Sequence, residues 1–172
     1  MSNLFILFFY KHTLAEMLCW GAGLVLLWFV LSFLFRRWPG LWKWVNLVLF
    51  CVVVLFILWR TVGNRTVGKR EICLIPFYSF VAARSSPERY RSLVANILLF
   101  VPFGLTLPFC LKRYPVRTTV LAAVGFSMMI ELIQLAFGLG LCEIDDVIFN
   151  TLGAAFGTLA FACLRGRKND CD

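Results

Sequence analysis

Of the chain's 172 residues, 61% are apolar and only 15% charged, whereas a soluble globular chain is about half apolar and a quarter charged. This excludes a water-facing domain, and the lack of alternating-polarity runs excludes a closed barrel, so an all-α polytopic membrane bundle is expected. The net charge of +8 does not signal nucleic acid, because the Lys and Arg residues gather at the ends of apolar runs rather than along one basic stripe.

A crossing needs about 20 predominantly apolar residues, since the hydrocarbon is ~30 Å thick and a helix rises ~1.5 Å per residue. Leu4–Tyr10 is too short and is expected to lie at the interface or to pack on the bundle. The first span is Leu14–Phe35, stopped by Arg36, Arg37, Pro39 and Gly40. The second is Leu41–Trp59, ended by Arg60. Leu93–Leu111, Thr118–Phe137 and Ile144–Leu164 follow. Residues 1–70 thus read as a two-span hairpin and 71–172 as a three-span domain, joined in one membrane unit. Trp20, Trp38, Trp42, Trp44 and Trp59 fall mostly near span ends, as an aromatic belt does.

Short connections set the orientation. Arg36, Arg37 and Lys43, then Lys112, Arg113 and Arg117, then Arg165, Arg167 and Lys168 fall on one side, which the positive-inside rule makes cytoplasmic. The N-terminus is then outside and the C-terminus inside. The second connection, Arg60–Ser92, is basic yet falls outside; it translocates regardless, the molecule is inverted, or Ile72–Phe80 dips back into the bilayer. The seven cysteines show no metal-ligand spacing, and only Cys73 and Cys142 share a compartment in a way that permits a bridge. No basic region precedes the first apolar run and no small-residue site follows it, so no cleaved signal peptide is expected.

Polar groups inside spans are costly in lipid and call for a reason. The third span carries Asn96, Pro102, Gly104 and Pro108, and its prolines free backbone carbonyls that neighbours must satisfy. Arg84, Arg89 and Arg91 precede it and are the evident counter-charges for the acids that follow. In the fourth span Ser127, Glu131, Gln134 and Gly138 share one helical face. Glu131 sits ~10 Å from the span's end at helical rise. In the fifth, Glu143, Asp146, Asn150 and Gly153 form one stripe if the helix is regular, and Gly153 with Gly157 lets another helix approach closely. Asp145 points off that stripe and reads as a helix cap. The long loop, the start of span three, the end of span four and the start of span five therefore converge at one membrane face.

These residues resemble the VanZ-like family. Arg91 and Asn96-Ile-Leu-Leu-Phe100-Val-Pro102-Phe-Gly104 are similar to its Arg and Asn-x-x-x-Phe-x-Pro-x-Gly element. Glu131-Leu-Ile-Gln134 is similar to its Glu-x-x-Gln element. Glu143-Ile-Asp145-Asp146-Val-Ile-Phe-Asn150-Thr-Leu-Gly153, with Gly157, is similar to its last, acid-rich element. The likeness runs from about Pro76 to Leu164. Glu143 stands where the family commonly has Asp, and the arginine many members carry shortly before that acid is absent. Arg89 or Arg91 is left to pair with the acids. The resemblance implies a bacterial cytoplasmic-membrane protein whose founding member confers low-level teicoplanin resistance.

The expected site is a polar pocket at the extracytoplasmic face, lined by Arg91, Asn96, Glu131, Gln134, Glu143, Asp145, Asp146 and Asn150. Pro102, Gly104, Gly153 and Gly157 shape the helices around it. His12, the single histidine, lies outside the spans, so no Ser–His or Cys–His dyad and no His-based zinc motif can be built there. Three classes remain. An enzyme would use Glu131 and Asp146 catalytically, with a divalent metal at Glu143, Asp146 and Asn150 against a lipid-linked phosphate. A binder would hold a lipid-linked cell-wall precursor or the glycopeptide in the same cleft. A proton-coupled transporter would use Glu131 as its carrier group, though no inverted repeat is evident.

Overall fold

The computed structural model describes residues 19–35, 37–65, 68, 70–82, 87–111 and 115–169. Within these residues each long apolar run becomes a helix, because lipid cannot satisfy a backbone that does not satisfy itself. The helices are α1 (Cys19–Leu34), α2 (Pro39–Leu58), α3 (Tyr78–Ala82), α4 (Pro87–Cys110), α5 (Pro115–Phe137) and α6 (Ile144–Asn169). Gly40–Gly63, Arg89–Cys110, Pro115–Phe137 and Ile144–Leu164 are long and apolar enough to cross a membrane, and Cys19–Leu34 is a shorter apolar helix. The start of the first expected span and the segment Leu4–Tyr10 lie outside the described residues. Large apolar side chains such as Leu26, Phe33, Val48, Leu55, Leu121 and Leu132 face outward, as a lipid-facing surface requires. The chain is a multi-pass helical membrane protein.

α4 and α6 form the central seam. A Cβ added at Gly153 would collide with the Ile97 backbone, one at Gly157 with Val101, and one at Gly104 with Ala154. These glycines let the two backbones touch, which is how helices associate without a hydrophobic drive between them. The same seam resolves the proline problem. Pro108 has no N–H for the Gly104 carbonyl, and the Thr158 hydroxyl of α6 reaches that carbonyl at 3.2 Å, shared with Ala154 O at 2.7 Å.

Two apolar clusters flank the seam. One joins Val53 and Ile57 of α2 to Phe100, Phe103, Ala123, Ile130 and Ala154. The other, at the opposite end, gathers Trp28, Leu49, Leu105 and Phe161.

The second connection carries secondary structure of its own. α2 ends in a π-turn at Trp59–Gly63, and the chain then forms a strand, β1 (Glu71–Cys73), before α3. β1 pairs in parallel with β2 (Leu141–Glu143), in the register Glu71 with Leu141, Ile72 with Cys142 and Cys73 with Glu143. Neighbouring strand positions point to opposite faces. Cys73 and Cys142 are therefore turned apart, and both are free thiols, which removes the bridge that the topology permitted. α5 closes with Gly138 at φ +66, the Leu139 N–H bonded to Gln134 O at 2.8 Å and the Gly138 N–H to Leu135 O at 3.3 Å. That is a Schellman cap, and it turns the chain straight into β2.

Candidate functional site

The polar face of α5 is turned fully inward, with Ser127, Glu131 and Gln134 each less than 5% exposed. Each residue finds its partner on a different element. The Asn150 amide of α6 donates to Ser127 Oγ at 2.8 Å. The main-chain N–H of Glu143, in β2, donates to Glu131 Oε2 at 3.1 Å. Gln134 Nε2 donates to the Thr61 carbonyl at 2.8 Å, in the π-turn that ends α2. Such irregular turns inside a helix often mark functional positions.

Asp146, one turn before Asn150 on α6, accepts a 2.7 Å hydrogen bond from Asn96 Nδ2 of α4. Glu143 is not part of the α6 stripe, because it belongs to β2 and the helix begins at Ile144. Its carboxylate turns toward the second connection, accepting from Ser79 Oγ at 2.8 Å and lying 3.8 Å from Arg89 Nη1. Asp145, 1% exposed, does not cap its own helix through its side chain. Its oxygens accept the Phe77 N–H at 2.5 Å and the Ser79 N–H at 2.7 Å.

Asn96, Glu131, Gln134, Glu143, Asp145, Asp146 and Asn150 thus converge at the end of the bundle that carries β1 and β2. Arg91 is half-buried at the start of α4, and it makes no hydrogen bond or ion pair among the described residues. Arg84 lies outside those residues. Pro102 and Gly104 sit roughly two turns farther along α4, in the seam beneath the cluster.

Several groups at the site have no signal in the sequence. The guanidinium of Arg65 lies against Gly140, where a Cβ would come within 2.9 Å of Nη1, and its charge faces Glu131 and Asp146. Arg70 caps α5 by donating to Ala136 O at 3.1 Å. The Cys142 thiol lies beside the Glu131 carboxylate, and burial, reinforced by the charges of Glu131 and Asp146, pushes that thiol's pKa up. Ser79 was traceable in principle as the lone aliphatic hydroxyl within the apolar run Ile72–Phe80. Arg65 was not, because its place depends on the π-turn and on the β1–β2 pairing.

Among the described residues four buried side-chain atoms have no hydrogen-bond partner: Arg60 Nε, Thr119 Oγ1, Gln134 Oε1 and Asn150 Oδ1. Among the described residues no group of three or more His, Cys, Asp or Glu side chains is placed to hold a metal ion.

No solved structure matches this chain. Protein VanZ of Enterococcus faecium is 30% identical over 89 residues, which is 52% of this chain and 51% of that protein. The chain therefore spans about half the length of this curated relative. The VanZ/LLP1 family model matches residues 22–165, reaching from α1 through α6 and beyond the three-helix part that carries the polar elements. This chain belongs to the VanZ/LLP1 family.

Proposed function

We propose that this protein works in a bacterial cell envelope and lowers susceptibility to teicoplanin-type glycopeptides, by binding or modifying a lipid-linked envelope component in the polar cluster. One observation carries the reading. The three polar elements of the sequence are hydrogen-bonded to one another at a single membrane face, through Asn96 with Asp146, Asn150 with Ser127, and Glu131 with the Glu143 main chain. Buried polar clusters of this kind are costly, and apolar residues of similar volume would hold helices together as well. The likeness to Protein VanZ supports the same direction.

With the N-terminus outside and the C-terminus inside, this face is extracytoplasmic. The arginines of the second connection are consistent with that topology because local partners engage them: Arg70 at Ala136 O, Arg89 at Glu143, Arg65 opposite Glu131 and Asp146. In this reading Arg65, Arg89 and Arg91 attract an anionic headgroup, and Glu131 and Asp146 face its polar centre.

An enzymatic version draws support from Asn150 Oδ1, a buried oxygen without a partner. Asp146 and Asn150 would hold a divalent cation and Glu131 would act as general base, and Glu143, turned toward Ser79 and Arg89, would have to swing back to complete the set. A requirement for added divalent cation, abolished by chelation, favours that version; saturable precursor binding without product favours the binder.

The test expresses wild type, Glu131→Gln and Asp146→Asn at matched membrane levels in a susceptible Gram-positive host and measures teicoplanin susceptibility. Protection by wild type and its loss in both near-isosteric variants is the expected result. Equal protection by all three makes the carboxylates structural, and no protection by wild type removes the resistance role altogether.

A further inference from the structure

The second connection carries an apolar surface that none of the described helices covers. Ile72, Leu74, Ile75, Phe77, Phe80 and Val81 are each between 53% and 66% exposed. In water such a patch is a liability. We infer that the segment Ile72–Ala82 is embedded in the headgroup–acyl boundary of the leaflet on the site's side, as an interfacial wedge attached to the polar cluster. This goes beyond the resistance reading and does not depend on it.

The first argument is continuity with the membrane surface. β1 is joined through β2 to the end of α5 and the start of α6, and α3 packs on the start of α4, so the segment lies level with the ends of membrane-crossing helices. The exposed aromatics at those same ends are Trp59, Tyr90 and Phe137, and Tyr78 joins them from α3. Arg60 stacks on Trp59 and Arg89 on Tyr78, with centroid distances of 5.9 and 5.8 Å. Aromatic bodies with cationic heads are what the interface selects, and the cations suit anionic headgroups.

The second argument is the backbone. A turn can enter apolar surroundings only if its N–H groups have acceptors. Pro76 has no N–H to satisfy. Phe77 and Ser79 donate to Asp145, Tyr78 donates to Ile75 O at 3.2 Å, and Val81 to Phe77 O at 3.0 Å. A loop bathed in water needs no buried carboxylate for this purpose. Phe77 even adopts φ +61, a conformation unusual for a bulky residue, at the point where the turn presents its N–H groups to Asp145.

The protein is reconstituted into vesicles of zwitterionic and anionic phospholipid, with an environment-sensitive fluorophore on a single cysteine at Ile75 or Phe80, the native cysteines having been replaced. Lipid-borne nitroxides near the headgroups should quench it several-fold more than an aqueous quencher does. Dominant aqueous quenching overturns the inference, and so does resistance to both quenchers, which means that a protein partner or a second copy covers the patch. A parallel measurement uses the unaltered protein. A lipid-partitioned carbene precursor should label peptides from residues 71–82 as well as those from α2 and α5, and labelling of the spans alone overturns the proposal.

Discussion

The two ends of the bundle differ in what fills them, although the buried Thr119 hydroxyl, at the end away from the strands, also lacks a hydrogen-bond partner among the described residues. At the end away from β1 and β2, rings fill the space: Phe109 meets Phe161 edge-on at 4.7 Å, and Trp28 lies 5.3 Å from Phe109 and 5.9 Å from Trp42. The buried amide there is closed on itself, since Asn46 accepts from Trp28 Nε1 and donates to Trp42 O, both at 2.9 Å. At the other end four carboxylates crowd together, and the amides of Gln134 and Asn150 each leave an oxygen without a partner among the described residues. A closed polar pair inside a membrane protein is an element of structure. On the proposed function the crowded carboxylates serve a ligand, and the contrast then predicts which residues cost stability and which cost activity when lost.

The largest expected effect falls on the seam that both ends share. Gly153→Val or Gly157→Leu drives a side chain into the α4 backbone and should cost more than ~3 kcal/mol, seen as loss of folded protein in detergent. Gly125→Ala is the matched control: nothing lies within 4 Å of its Cβ position, and relief of glycine's backbone entropy should leave stability unchanged or raise it by up to ~1 kcal/mol.

Next comes Asp145→Ala, which strips the Phe77 and Ser79 N–H groups of their acceptor. About 2–4 kcal/mol is at stake, because charge-assisted bonds to buried donors are lost and the donors stay behind. Hydrogen exchange should accelerate across residues 72–82 while α4 and α6 remain protected. Asp145→Asn keeps one acceptor and should fall between.

The comparison sharpens when similar changes are made at each end. Trp28→Phe breaks the closed pair and should lower stability by ~1 kcal/mol, with teicoplanin protection unaltered. Asp146→Asn retains an oxygen for Asn96, so thermal unfolding should stay close to wild type while protection disappears. Equal behaviour of the two variants in both measurements would erase the distinction between the ends.

Much of this was legible in the residues. The apolar runs have the length that a bilayer dictates, and the hundred-degree step of a helix puts Ser127, Glu131 and Gln134 on one face whatever they bind. Convergence of the long connection with the ends of three helices followed from topology. What could not be read was the pairing of Glu71–Cys73 with Leu141–Glu143, since a three-residue strand has no period to detect. That pairing took Glu143 off the helical stripe, brought Arg65 beside Gly140, and turned Asp145 from a cap of its own helix into the anchor of another segment. Sequence periodicity reports what a regular element does with its own residues, and these three depend on contacts between irregular ones.

The smallest effect tests the electrostatics of the open end from a residue that no sequence motif singled out. Cys142 lies between α5 and α6, with burial first and then the nearby charges of Glu131 and Asp146 disfavouring the thiolate. Because the thiolate is the reactive form, alkylation at neutral pH should be slower than for an ordinary cysteine and should rise only as the pH passes above the usual thiol range. Glu131→Gln removes one of those charges without removing the burial. The alkylation profile of Cys142, resolved by peptide mapping, should then shift modestly toward lower pH. An unshifted profile would mean that Glu131 holds no negative charge beside the thiol, leaving burial and Asp146 to set its behaviour.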